Sequence, residues 1–224
     1  MLGRIEILGS SSKGNCYKLI FDNNKKIILD AGLTDNDKMD VECVFITHKH
    51  GDHIKELDFY KSNNLPIIKP SDQVRYRENE SLKWTSFIVP HAVLNNGYII
   101  EYDNEKIGYI TDCGDYDKID LDLSSLTYLL IECNWDYFLI NQNIIESKPY
   151  SLYAFSKEGH MSNLDTLNAI AKWKVNKNCK IVFIHKSQEH ATYENTYKMF
   201  GSLPHKWHVA KDRTVIYCKS WKII

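Results

Sequence analysis

Several side chains of metal-binding type lie close together in one short stretch, FITHKHGDHI, at residues 45–54. The stretch follows an apolar run and contains His48, His50, Asp52 and His53. Side chains alternate along a strand, so His48 and His50 share a face, and the turn at Gly51 redirects the next two residues. Imidazole and carboxylate are ligands that zinc, manganese and iron accept. The stretch therefore predicts a metal site at the end of a strand.

Further candidate ligands follow three later apolar runs. His91 ends SFIVPH, Asp112 follows KIGYIT, and His185 ends KIVFIH. Polar groups at strand ends converge on one rim of a sheet, where binding sites are usually built. Each residue alone fits a structural role, but the repeated placement predicts that all three join the residues of the 45–54 stretch.

The predicted secondary structure that must position these residues differs between the two halves of the chain. The first half holds short apolar runs separated by turn residues, and FDNNKKI and YDNEKI are typical of hairpin turns. The second half alternates strands with helices: LTYLLIE, KIVFIH, KWHVAKD and RTVIYC predict strands, and residues 162–175 and 188–200 predict helices, the first capped by Ser162 or Asn163. This order favours an α/β (α+β) fold in which helices cover mixed sheets, as one domain spanning residues 1–224.

Composition narrows the class of protein. The 224 residues carry a formal net charge of −1, so attraction to nucleic acid must come from a local patch. The polar stretch 71–82, with Arg75 and Arg77, is expected to be a surface loop or short helix. Six scattered cysteines favour buried free thiols in a reducing compartment. With no apolar span and no leader pattern, we expect a cytoplasmic protein without a membrane partner.

These motifs resemble the metallo-β-lactamase superfamily. The resemblance covers LGSSSKGNCYKL, IILDAGL, the 45–54 stretch, VPHAVLNNGYIIE, IGYITDCG, LLIECNWD, KEGHMSN and FIHKS. Together they are similar to the YycJ/WalJ-like branch, whose members are taken to be DNA exonucleases. The resemblance implies a four-layer αββα sandwich of two mixed sheets flanked by helices.

The resemblance also implies a site with two divalent metal ions, zinc or manganese, with iron as a further fit. His48, His50 and His91 would hold one ion, Asp52, His53 and His185 the other, and Asp112 would bridge them. Asp30, in the family's LDAG position, and Thr47 would orient the ligands from behind.

The GHMSN loop resembles a loop of the tRNA 3′-processing endonucleases, where a histidine paired with a glutamate touches the reacting phosphate. His160 and Glu132 would form that pair, and Asp52 would orient the attacking water. Ser162 and Asn163, at a helix start, would contact phosphate. Lys49 and Lys186, inside or beside the metal motifs, are the preferred lysines for phosphate contact, and Lys13 is a further candidate. The chain departs from the branch at Trp135, where a histidine is expected, and lacks one glycine of the GSSSKGN loop.

The function that follows is a metal-dependent phosphodiesterase or nuclease, most specifically a DNA exonuclease. A metallo-hydrolase of a thioester, lactone or cyclic nucleotide would use the same ligands and stays open. A non-catalytic nucleic-acid-binding module with structural metals is a third reading, which the complete ligand set disfavours. The sequence leaves the metal, DNA or RNA preference, polarity of digestion and oligomeric state open.

Overall fold

The computed structural model describes residues 1–35, 40–70, 76–78, 82–143 and 149–224. Within these ranges the chain forms two mixed seven-stranded sheets flanked by helices, which confirms the predicted fold class.

The first sheet comes from the N-terminal strands and the last two strands of the chain. Its strand order is β14-β13-β1-β2-β3-β4-β5. The strands are β1 (Leu2–Ser11), β2 (Gly14–Phe21), β3 (Lys26–Leu29), β4 (Val41–Phe45), β5 (Ile67–Ile68), β13 (Thr214–Tyr217) and β14 (Lys222–Ile223). Strands β3, β4 and β5 are parallel and the other pairs are antiparallel.

The second sheet is built from the middle of the chain, in the order β12-β11-β10-β9-β8-β7-β6. Its strands are β6 (Tyr76–Glu78), β7 (Leu82–Ile88), β8 (Asn96–Tyr102), β9 (Glu105–Ile110), β10 (Tyr128–Glu132), β11 (Lys180–Ile184) and β12 (Lys206–Val209). From β9 to β12 the neighbours are parallel, and from β6 to β9 they are antiparallel.

The helices lie outside the two sheets. In chain order they are α1 (Gly51–Ile54), α2 (Leu57–Ser62), α3 (Tyr137–Asn143), α4 (Pro149–Ala154), α5 (Asn163–Lys172) and α6 (Tyr193–Phe200), and a 3₁₀ turn spans Tyr116–Lys118.

Alternation along the buried strands produces the layers. In β10, Leu130 packs between the two sheets, whereas Leu129 and Ile131 pack with residues of α5 and α6. In β4, Phe45 faces the other sheet and Val44 joins a cluster with Tyr60 of α2. A period of two thus buries both faces of each central strand, giving the order helix, sheet, sheet, helix.

Two local expectations need correction. The helix predicted over residues 188–200 begins only at Tyr193, because Thr192 caps it by accepting a hydrogen bond from the Asn195 amide. The stretch 71–82, expected to be a loop or short helix, contributes strand β6, which pairs with β7. Arg75 lies outside the described residues, and Arg77 lies in β6.

Both predicted hairpin turns are confirmed. FDNNKKI connects β2 to β3 with Asn24 at φ 64°, and YDNEKI connects β8 to β9 with Asp103 at φ 53°. Asparagine and aspartate tolerate this left-handed conformation, which tight turns require. Among the described residues no helix has the length and apolar character to cross a membrane.

Candidate metal centre

The carboxyl ends of the parallel strands from both sheets meet at one edge of the sandwich. Asp30 follows β3, Asp112 follows β9 and His185 follows β11, and all three have left-handed backbone, with φ of 58°, 52° and 53°. Such conformations cost a non-glycine residue about 1–3 kcal/mol and concentrate at functional sites. The turn away from each strand places these side chains at one point.

A first cluster brings together His48, His50, His91 and Asp112. The Nε2 atom of His91 lies 3.2 Å from Nδ1 of His50 and 3.6 Å from Oδ2 of Asp112. Nε2 of His48 lies 3.5 Å from the same carboxylate oxygen. The structure therefore brings together the four residues that were predicted to surround the first ion.

A second cluster contains Asp52, His53 and His185. Oδ2 of Asp52 lies 3.4 Å from Nε2 of both histidines. Oδ1 of Asp112 lies 3.3 Å from Nε2 of His53, so the two oxygens of Asp112 face different clusters. This is the placement expected of the predicted bridging carboxylate.

The hydrogen bonds around His48 show which ring nitrogen is available to a metal. Thr47 Oγ1 lies 3.0 Å from both oxygens of Asp30 and 3.0 Å from Nδ1 of His48. Because the hydroxyl hydrogen goes to the carboxylate, Thr47 accepts from Nδ1–H of His48. Nε2 of His48 then presents a lone pair; it is buried and has no hydrogen-bond partner among the described residues.

His53 is held in the same way by Asp30. Its Nδ1 donates to Oδ2 of Asp30 at 2.7 Å, which leaves Nε2 to face the carboxylates of Asp52 and Asp112. Asp30 is fully buried and also accepts from the amide of Thr47 and the hydroxyl of Tyr109. The carboxylate of Asp30 thus fixes both the ring of His53 and the backbone that leads into the histidine motif. These contacts fit the expectation that Asp30 and Thr47 orient the ligands.

The donor atoms of both clusters fit metal ions. In a tetrahedral zinc site each ligand atom lies about 2.0–2.1 Å from the metal, so two ligand atoms lie about 3.3 Å apart. The separations across the clusters are 3.2–3.6 Å. In the first cluster the lone pair on Nε2 of His48 faces a carboxylate oxygen at 3.5 Å, and a bound cation would relieve the repulsion between these two acceptors.

The histidines of the two clusters have opposite pKa shifts. Burial lowers the pKa of His48 to about 2 and outweighs the charge of Asp112. Burial likewise lowers the pKa of His50 and His91. Burial acts in the same direction on His185, but Asp112, Asp52 and Glu132 outweigh it and raise that pKa to about 10.

For His53, too, burial is outweighed, here by the charges of Asp112 and Asp30, and the pKa lies well above its ordinary value. Without metal, therefore, neutral imidazoles line the first cluster, and imidazolium groups paired with carboxylates line the second.

His160 and Glu132 form the predicted pair beside the clusters. Nδ1 of His160 donates to Oε1 of Glu132 at 2.6 Å, and Nδ1 of His185 donates to the same oxygen at 3.0 Å. Oε2 of this fully buried carboxylate accepts from the amides of Cys113 and Met161. Burial alone would lower the pKa of His160. The charge and the hydrogen bond of Glu132 outweigh burial, so the pKa of His160 is raised. Glu132 thus connects a candidate metal ligand to a candidate acid, a double role that the sequence did not indicate.

Ser162 and Asn163 lie near this pair, but their amides are occupied. Ser162 caps α5: its hydroxyl and its amide bond the carboxylate of Asp165 in a capping box. The amide of Asn163 donates to the carbonyl of Trp135 at 2.8 Å. Both residues are almost fully buried, so the expected phosphate cradle is not present at this helix start.

Trp135, which replaces the expected histidine, supports the His160 loop. Its Nε1 donates to the carbonyl of His160 at 2.9 Å, and its backbone bridges to Ser162. Its ring packs 4.9 Å from the ring of Phe155. The tryptophan therefore holds the backbone of the candidate acid and lies behind it, 7% exposed.

Of the three predicted phosphate-binding lysines, Lys13 lines the cleft at the site, Lys49 is exposed, and Lys186 is turned away. Nζ of Lys186 donates to the carbonyls of Ser187 and Ala191 and lies 4.5 Å from the ring centroid of Tyr193. Burial lowers the pKa of its amine. Lys186 therefore supports the loop after β11 and does not reach the cleft.

Asn15 is a site residue that sequence reasoning missed. Its Nδ2 lies 3.0 Å from Oδ2 of Asp52 and 3.2 Å from Nε2 of His53. Tyr17 donates to its side-chain oxygen at 3.2 Å, so the amide is fixed in orientation. The only sequence signal was its place in the GSSSKGN loop.

Gly32 of the LDAG segment allows the histidine motif to approach this loop. A Cβ at Gly32 would collide with the carbonyl oxygen of Asp52 and with the backbone of Asn15. The amide of Gly32 donates to the Asn15 carbonyl, and the amide of Ala31 donates to the carbonyl of His53. The LDAG segment thus packs between the segment that carries Asn15 and the turn that carries Asp52 and His53.

The clusters open into a cleft of about 640 Å³. His50, Asp52, His91, Asp112, His160 and His185 line its floor with Asn134, and its sides include Lys13, Tyr153 and residues 187–190. All seven predicted ligands and the His160–Glu132 pair therefore lie in or directly behind one cleft.

No family profile matches the chain. Curated proteins align with it over most or part of its length. Exodeoxyribonuclease WalJ of Streptococcus pneumoniae is 26% identical over 227 aligned residues, covering 83% of this chain and 82% of the relative. Hydroxyacylglutathione hydrolase of Francisella tularensis subsp. novicida is 29% identical over 97 residues, covering 40% of this chain and 36% of the relative.

Solved structures match over nearly the whole chain. The metallo-β-lactamase fold protein YhfI from Bacillus subtilis superposes with a TM-score of 0.68 at 13% identity, covering 96% of this chain and 99% of that protein. The short form of human tRNase Z superposes with a TM-score of 0.62 at 15% identity, covering 95% and 98%. At these identities the likeness concerns the fold.

Proposed function

We propose that this chain, which has the metallo-β-lactamase fold, is a phosphodiesterase that uses two divalent metal ions to hydrolyse nucleic acid. The observation that carries the proposal is the position of Asp112. Its two oxygens face ring nitrogens of two separate clusters at 3.3–3.6 Å, and the His160–Glu132 pair lies beside them. DNA is the proposed substrate and exonucleolytic digestion the proposed mode, supported by the similarity to exodeoxyribonuclease WalJ over 83% of the chain.

The residues of the site have distinct proposed roles. His48, His50 and His91 would hold one ion, Asp52, His53 and His185 would hold the other, and Asp112 would serve as a ligand in both positions. Cations at such positions activate a water molecule and neutralise the phosphate oxygens as charge builds up on them. Zinc and manganese both suit the set of five imidazoles and two carboxylates, and iron is a further fit.

Two side chains of the site, Asp52 and His160, then orient the attacking water and donate the proton to the leaving group. Asp52, fixed by Asn15 at 3.0 Å, accepts a hydrogen bond from the attacking water and aims it at phosphorus. Glu132 holds His160 with its hydrogen on Nδ1, and the raised pKa of His160 favours a second proton on Nε2. His160 lines the cleft, so it can give this proton to the departing oxygen.

The protein's overall charge contributes little to the binding of nucleic acid. The net charge of −1 gives no general attraction, so binding rests on the metal ions and on local cations such as Lys13 at the cleft. Such binding is expected to be weak and strongly dependent on salt.

We place this activity in one domain, residues 1–224, in the cytoplasm. The six cysteines are all buried and free, which suits a reducing compartment. Burial raises the pKa of Cys16 to about 12, so this thiol stays protonated and is a poor metal ligand.

The proposal is tested with zinc- or manganese-loaded protein and single- and double-stranded DNA and RNA, labelled at either end. The expected result is stepwise shortening of DNA from one end, abolished in Asp52→Ala. The comparison of the two end labels gives the direction of attack. Absence of cleavage with either metal, or equal cleavage by Asp52→Ala, would contradict the proposal.

A thioesterase is the second candidate, supported by the partial match to hydroxyacylglutathione hydrolase. A thioester substrate carries no phosphate. The leaving group that His160 would protonate is then a sulfur atom. Hydrolysis of a glutathione thioester, measured in the same preparation, decides between the two. Turnover of the thioester without turnover of DNA would favour this second candidate.

A further inference from the structure

Two aromatic rings line the cleft in addition to the metal-site residues. Tyr153, at the end of α4, is 37% exposed, and the His190 side chain, in the loop after β11, is 26% exposed. Neither was indicated by the sequence, and the proposed chemistry does not use either ring. Both are reached from the space that His160 and His185 border.

His190 is held on a tightly bonded turn. Its amide donates to Oγ of Ser187 at 3.0 Å, and its carbonyl accepts from the amide of Asp136 at 2.9 Å. The amide of Ser187 donates to the carbonyl of Asn134 at 2.8 Å. These hydrogen bonds connect the turn to the loop after β10, so the position of His190 does not depend on a bound ligand.

Tyr153 is fixed by contacts with the loop that leads to His160. Its hydroxyl donates to the carbonyl of Glu158 at 3.1 Å, and the amide of His160 donates to the carbonyl of Ala154 at 2.9 Å. The ring of Phe155 contacts that of His190, with the centroids 5.2 Å apart in an edge-to-face arrangement. Phe155 in turn packs against the buried ring of Trp135, so His190 is connected to the core through these two rings.

We propose that Tyr153 and His190 form a subsite that stacks a nucleobase of the substrate, next to the phosphate held at the metal centre. Every base has a π-face, so aromatic rings at the border of a phosphate site retain a nucleotide without selecting its sequence. This inference rests on the proposed phosphodiesterase function. It adds what that function does not require: recognition of the nucleoside part of the substrate.

The test uses two phosphodiesters with the same leaving group, thymidine 5′-(4-nitrophenyl phosphate) and methyl 4-nitrophenyl phosphate. Tyr153→Leu and His190→Leu remove a ring, and Tyr153→Phe and His190→Phe retain one. Tyr217→Leu, at an exposed tyrosine of β13 outside the cleft, is the matched control. Binding of thymidine is followed separately by the upfield shift of its base protons in NMR titrations.

Each leucine variant should raise KM for the thymidine ester roughly tenfold, the effect of one lost stacking contact. Hydrolysis of the methyl ester should change less than twofold, and the phenylalanine variants and Tyr217→Leu should behave as wild type. An equal loss for both esters, or unchanged thymidine binding in both leucine variants, would overturn the subsite. If wild-type protein hydrolyses neither ester, the phosphodiesterase proposal fails, and the thymidine titration alone decides whether the subsite exists.

Discussion

The second cluster of the metal centre holds its histidines through charged groups. His53 donates from Nδ1 to Asp30 at 2.7 Å, and His185 donates from Nδ1 to Glu132 at 3.0 Å. Both carboxylates are fully buried. A carboxylate behind a ligand imidazole fixes the tautomer and makes the other ring nitrogen more basic.

The first cluster holds its histidines through neutral groups. Nδ1 of His48 faces the hydroxyl of Thr47 at 3.0 Å, and Nδ1 of His91 faces the carbonyl of Gly159 at 3.1 Å. These partners fix ring orientation without adding charge. One edge of the sandwich thus offers two kinds of metal position, one lined by neutral rings and one whose rings carry protons before metal binds.

The largest effect should come from the residue that both positions share. Asp112→Ala should lose both ions and all detectable hydrolysis, because its oxygens face Nε2 of His48 and of His53. Metal per chain and DNA cleavage are measured together, with Asp122→Ala, at an exposed aspartate ten residues further along the chain, as the control. An Asp112→Ala protein that keeps two ions would show that this carboxylate does not join the clusters.

His160→Ala separates chemistry from metal binding. The loss of an acid or of an oxyanion contact should lower kcat by roughly 10²- to 10⁴-fold, while both ions stay bound. In the wild type, kcat should fall as the pH rises through the pKa of His160, which lies above its ordinary value, because the donated proton is then absent. Loss of both metals in His160→Ala would instead make this residue a ligand.

Asp30→Asn tests the difference between the two clusters directly. The asparagine keeps the size of the side chain but removes the charge behind His53, so affinity for one of two ions should fall about 10- to 100-fold. Affinity for the other ion should fall less, because Asp30 reaches His48 only through the hydroxyl of Thr47. Competition with a zinc chelator resolves the two affinities, and an equal loss at both positions would contradict the proposed division.

The smallest signal is the release of protons on metal binding. At pH 7.5 the second cluster should release about two protons, because the pKa of His53 and of His185 is raised and both rings are protonated before metal binds. The first cluster should release none, since the pKa of His48, His50 and His91 is lowered. Calorimetry in buffers of different ionisation enthalpy counts these protons. Equal release in both binding steps would remove the distinction.

The sequence predicted the candidate ligands because each follows an apolar strand, and parallel strands end at one edge. His91, Asp112 and His185 are separated by 21 and 73 positions, yet the strand-end pattern alone was enough to group them with the 45–54 stretch. The same runs predicted mixed sheets covered by helices, and the arrangement as a sandwich of two sheets was implied by the resemblance to the metallo-β-lactamase superfamily.

Contacts made across the fold could not be predicted in this way. Asn15, Tyr109 and the shared role of Glu132 depend on distances between loops and strands that no local pattern encodes. Ser162 and Lys186 were predicted to contact phosphate from their type and position, but a capping box and two backbone carbonyls occupy them. A polar group near a site is available to substrate only when the fold leaves it unused, and only coordinates show this.

The most direct test of the two-metal account is a titration of metal-free protein with zinc, read by calorimetry and by elemental analysis after gel filtration. The account predicts two ions per chain bound in two resolved steps, with Asp112→Ala binding neither. A wild-type chain that binds one ion or none would contradict it.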